Sequence, residues 1–171
     1  MELRLAPTVH LRDDRLFRIF LQDHLAAFHA TAALLRRCLK PNRETPLGRL
    51  LAPLHVAVRE DLLHLRKTAA AVEVKPSLLK NRGARFGVGM GRFKLNGRLV
   101  NYSPLSRVLE LEGLLMLTVQ RAATWRILEA RAQLDGRLQD AGVDFASRAE
   151  LAERGAATLQ RALVQEGGLS F

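Results

Sequence analysis

Four ionisable side chains fall where a helical reading of this sequence places apolar ones. His24 lies between Phe20 and Phe28, Asp61 between Val58 and Leu65, and Glu112 between Val108 and Leu115, with His64 three residues beyond Asp61. Residues three apart share a helix face, so Asp61 and His64 can point at one ion. A carboxylate or imidazolium buried alone is costly unless it is paired, coordinated or neutral. Two chemistries satisfy that demand. His24, Asp61, His64 and Glu112 can act as ligands to iron, manganese or zinc, or they can satisfy one another in a buried polar network that includes an arginine. A helix phase that turns them to solvent would remove the demand altogether.

The second constellation is basic. Lys80, Arg82, Arg85, Arg92, Lys94 and Arg98 stand among Gly83, Gly87, Gly89 and Gly91. Glycine-rich backbone beside cations can form an N–H nest for phosphate. Gly87-Val88-Gly89-Met90-Gly91-Arg92 nevertheless matches neither the P-loop nor the dinucleotide-binding spacing. A flexible crossover needing φ > 0 positions accounts for the glycines equally well. From Val74 to Leu109 there are eight basic residues and no acid, in a chain whose net charge is +10, so the remainder is nearly balanced. An anionic partner is expected, either nucleic acid, polyphosphate or an acidic protein. The bland alternative is a generally arginine-rich surface. Phe86, Phe93 and Tyr102 are too few to argue stacking on a single strand.

Four segments carry the 3.6-residue period that would position these groups. The first runs from about Arg12 to Leu39, where Pro41 stops it, with Phe17, Phe20, Ala27, Phe28, Thr31, Leu35 and Cys38 on its apolar stripe. The second starts at Thr45-Pro46, a capping hydroxyl before a proline at N1. It continues to about Glu73, and Pro53 should kink it or delay its regular start. Ser103-Pro104 opens the third, which reads to about Leu138 with a stripe of Leu105, Val108, Leu109, Leu115, Val119, Ala122 and Ile127. The fourth is expected from Ser147, with Glu150 at capping-box spacing, to about Gln165. Asn96-Gly97, between Phe93 and Leu95 on one side and Leu99, Val100 and Tyr102 on the other, predicts a small β-hairpin.

The expected fold is an all-α, single-domain four-helix bundle over residues 1–171, with 76–103 as a long basic crossover between helices two and three. That plan resembles the ferritin-like superfamily. Its di-iron members take a Glu from two helices and a Glu-x-x-His from the other two. Asp61-Leu62-Leu63-His64 is a shortened form of that motif, and Glu112 stands for a lone carboxylate. The pattern departs elsewhere: helix one offers His24 or Asp23 where a Glu belongs, and helix four, around Glu150, Glu153 and Gln160, has no histidine. A six-ligand di-iron centre is therefore not assembled from this set.

Composition narrows the rest. Hydrophobic residues make up 48% of the 171 and aromatics 5%, so Leu and Ala carry the core and favour helix. One cysteine, Cys38, excludes an internal disulfide framework and fits a reducing cytoplasm. No apolar run approaches the length of a membrane span. The first expectation for function is a non-catalytic bundle that binds or assembles, with a basic surface for an anionic partner and homo-oligomers in view. The alternative is a metal-binding ferritin-like protein or oxidoreductase with a reduced ligand set.

Overall fold

The computed structural model describes residues 14–74 and 104–170. They form five helices, named here α1 (Asp14–Asn42), α2 (Pro46–Ala71), α3 (Pro104–Ala132), α4 (Gly136–Asp140) and α5 (Phe145–Ser170). All are α, as the composition requires. The basic crossover cations, the glycine cluster and the Asn96-Gly97 hairpin lie outside the described residues.

The α1–α2 turn is tight, and its polar groups are used up locally. Pro41 sits within the last turn of α1, which ends one residue later at Asn42 rather than at Leu39. The Asn42 amide donates to the Cys38 carbonyl at 2.8 Å. The Thr45 hydroxyl donates to the Asn42 carbonyl at 2.8 Å and accepts from the Gly48 amide at 3.2 Å. This is the predicted N-cap. Gly48 is required there, because a Cβ would run into the Asn42 carbonyl. α2 then continues through Pro53 to Ala71, so that proline does not postpone its start. Its end is a Schellman motif, with Glu73 N–H donating to the Ala70 carbonyl and Val74 N–H to the Ala69 carbonyl, both at 3.0 Å. Glu73 occupies the left-handed position, at φ 57°, that glycine usually fills.

α3 corrects the predicted stripe. Leu111, Leu114, Trp125 and Leu128 point into the core, while Leu105, Val119 and Ile127 are exposed. Apolar residues occur on nearly every face of this helix, so its pattern has no single phase to read. The same misphasing applies to Glu112, which is exposed, whereas Glu110 is buried. α3 also stops at Ala132, and the predicted continuation to Leu138 is a separate turn. Asp135 caps α4 by accepting from the Arg137 amide, which places Leu138 in the core. Asp144, not Ser147, begins α5, its carboxylate accepting from the Ser147 amide at 2.9 Å. α5 runs past Gly167-Gly168 to Ser170.

Ion pairs between the helices fix their directions. Arg18 near the start of α1 meets Glu73 just past α2, and Arg37 late in α1 meets Glu110 early in α3. Arg107 early in α3 meets Glu166 late in α5. Thus α1 runs antiparallel to α2 and to α3, and α5 antiparallel to α3. It follows that Val74 and Pro104 sit at opposite ends of the bundle. Trp125 lies at the centre, edge-on to Phe28 at 5.7 Å and tilted against Phe145 at 6.1 Å. None of the described helices is long and apolar enough to cross a membrane.

Candidate functional site: a buried ion pair and a cationic seam

Among the described residues, no three His, Cys, Asp or Glu side chains come together to hold a metal ion. The four sequence candidates are each placed differently. The half-buried His24 ring lies 4.0 Å from the Phe20 ring, and its Nδ1–H donates to the Phe20 carbonyl at 2.7 Å. His64 is half-buried, its carbonyl accepting from the Thr68 hydroxyl at 2.9 Å. Glu112 faces solvent. Asp61 is buried as its position on the stripe demanded.

Asp61 takes arginines as partners. Arg121 Nε of α3 stands 3.1 Å from one carboxylate oxygen, both side chains being 1% exposed. Arg148 of α5 approaches the other oxygen at 3.5 Å and reaches Glu60 at 3.1 Å. The Trp125 indole N–H faces the same carboxylate without closing to a well-aligned hydrogen bond. Burial pushes the Asp61 carboxyl up and the Arg121 guanidinium down, while their mutual attraction opposes both shifts. One acid thereby ties α2, α3 and α5 together. Gly155 makes room for this, since a Cβ there would stand 2.9 Å from Leu54 and 3.6 Å from the Arg121 guanidinium.

The outer side of the α1–α2 hairpin carries a feature the sequence reading missed. Arg66 donates from Nη2 to His29 Nε2 at 3.0 Å across the two helices. In an antiparallel pair that level sets Arg36 beside Arg59 and Lys40 beside His55. Electrostatics agree, because Arg59 and Arg36 both help hold the His55 imidazole below its usual value, after partial burial. Burial and Arg66 do the same to His29. Arg36, Arg59 and Arg66 make no ion pair with any acid among the described residues. The result is a line of like charge that the fold leaves uncompensated. In sequence these residues are two ordinary solvated faces some twenty positions apart, and only docking of α1 on α2 merges them.

Several cations elsewhere are held by acids. Arg137 donates to Asp14 at 2.9 and 3.0 Å and to Asp135 at 2.7 Å, while Arg131 lies 4.8 Å over the Phe17 ring. Arg126 grips Glu153 and Glu129. Cys38 is buried, and burial with the adjacent Glu110 pushes its thiol up, away from thiolate chemistry. No protein-family model, curated protein sequence or solved structure matches the chain.

Proposed function

We propose that this protein is a non-catalytic helical bundle that binds a polyanion, either nucleic acid or polyphosphate, along the outer seam of α1 and α2. The observation that carries the reading is the row of Arg36, Arg59 and Arg66, aligned across two helices without acids to neutralise them. Keeping like charges adjacent costs stability, and an anionic ligand relieves that repulsion on binding. The seven basic residues among 75–103, including Lys80, Arg82, Arg85, Arg92, Lys94 and Arg98, add charge of the same sign. The helix directions and the opposed positions of Val74 and Pro104 support a ferritin-like plan as the architecture that presents these surfaces.

The test is fluorescence anisotropy with a labelled RNA oligonucleotide and with labelled polyphosphate, titrated between roughly 50 and 200 mM salt. Binding should weaken steeply with salt. Changing Arg36, Arg59 and Arg66 together to Ser should weaken it about ten- to a hundredfold and lower the salt slope by about two to three. Absence of binding to either polymer at the low-salt end would overturn the reading.

A further inference from the structure

His29 and Arg66 are both exposed on the outer seam, and their hydrogen bond fixes the protonation of the ring. A guanidinium has no acceptor. At 3.0 Å from Arg66 Nη2, the His29 Nε2 must therefore carry a lone pair, and the proton of the neutral imidazole sits on Nδ1. Each group is turned on the other rather than outward, which closes one end of the row that continues through Arg36 and Arg59.

We infer that His29 and Arg66 form a proton-operated clasp for a phosphate oxygen: a proton added at Nε2 breaks their bond and leaves two donors facing one gap, which the oxygen fills. This rests on the polyanion-binding reading above and states how that site is regulated. The proton comes from solvent, the bond from Arg66 to Nε2 is lost, and two charge-assisted bonds to the anion replace it. Without an anion, a charged ring beside a guanidinium is unfavourable. Partial burial and then Arg66 hold the imidazole below its ordinary 6.5, so the clasp is shut at neutral pH until a phosphate arrives. Ligand binding and proton uptake are thereby coupled.

Among the described residues Arg66 is the charge that bears on the ring, and none from α3, α4 or α5 does. Arg36 and Arg59 stand about two turns away at the next level of the row. Lys67 turns to the Gly142 carbonyl, Asp23 lies six residues before His29, and Glu44 is in the turn at the far end. Asp14, Glu60, Asp61 and Glu73 are held by Arg137, Arg148, Arg121 and Arg18. No acid is therefore in place to stabilise the imidazolium, and that role falls to the ligand.

The test is isothermal titration calorimetry on the full chain, with an RNA oligonucleotide and separately with polyphosphate. Low salt and two buffers of different ionisation enthalpy give the protons taken up on binding. Near neutral pH the wild type should take up towards about one proton more than His29→Gln, whose amide oxygen accepts from Arg66 but does not charge. Between roughly pH 8 and 5 the His29 proton should tighten binding by up to about tenfold per unit. His29→Gln should lose that share and bind more weakly at low pH. His29→Lys, a permanent cation, should lose the same share and bind more tightly than the wild type at about pH 8. His55 and the ligand's own groups are common to all three proteins, so their titration cancels, and unchanged circular dichroism shows that the fold is kept. Uptake with one polymer alone identifies its phosphate as the ligand. Proton uptake that is the same in His29→Gln overturns the clasp and leaves the polyanion reading standing, whereas absence of binding to either polymer at every pH overturns both.

Discussion

The two outward sides of the bundle solve the problem of solvent exposure in opposite ways. The α1–α2 hairpin shows water a row of arginines and histidines, whereas α3 shows it Leu105, Met116, Val119 and Ile127. Both helix pairs bury similar Leu- and Ala-rich faces inward, so core formation does not account for the difference. A lone exposed Leu is ordinary, and so is a lone Arg. What distinguishes both sides is alignment: like charges placed level across two helices, and apolar side chains kept in line over a whole helix. Each arrangement is unfavourable for the isolated chain.

The joint between the two sides is Asp61–Arg121, and breaking it should have the largest effect. Asp61→Asn leaves a buried guanidinium without its counter-charge and should destabilise by about 3–5 kcal/mol in urea unfolding. Asp61→Leu with Arg121→Met should recover most of that loss, because the pair's desolvation disappears along with its attraction. Next comes a change confined to the basic side. Gly48→Ala forces the first turn of α2 away from Asn42 and should cost about 2–3 kcal/mol. Because it disturbs how α2 sits on α1, it should also weaken polyanion binding.

A pH titration sharpens the same contrast. His29 and His55 are held below the ordinary 6.5, so the unfolded chain takes up their protons first. Stability is fully present above 6.5 and falls as pH drops through the depressed folded values. Polyanion binding should move the other way, tightening over that window as the imidazoles charge. The double variant His29→Asn, His55→Asn should flatten both trends. A separate acid loss belongs to Asp135, which its Arg137 hydrogen bonds hold down at about 2; its contribution is present above 3.8 and is lost as pH falls from there through about 2. The smallest effect concerns neither face. Glu73→Gly relieves the left-handed strain at the end of α2 and should raise stability by about 0.5–1 kcal/mol, since the exposed Arg18 pair it removes is worth little.

Much of the architecture was legible in local chemistry. Thr45-Pro46 marked a helix start because a hydroxyl acceptor and a missing N–H suit the same turn, and Asp61 was rightly placed inside by the period of α2. α3 resisted reading because Leu, Met, Val and Ile occupy its outside as well as its inside, so Glu112 was assigned a face that belongs to Glu110. The Asp135 and Asp144 caps were missed since each follows a short irregular stretch that also reads as helix. The seam of Arg36, Arg59 and Arg66 was invisible for another reason: no local window contains both helices.

The sequence alone determined that the chain is helical, that a carboxylate must be buried in α2, and that positive charge is in excess. These follow from propensity, period and composition, which act within a few residues or over the whole chain. Only the tertiary structure decided that Arg121 and Arg148, rather than a histidine, answer Asp61, and that three arginines line up while α3 keeps an apolar side outward. Those outcomes depend on the rotation and register of one helix against another. That choice is made by packing between residues distant in the chain, and nothing within a single helix records it.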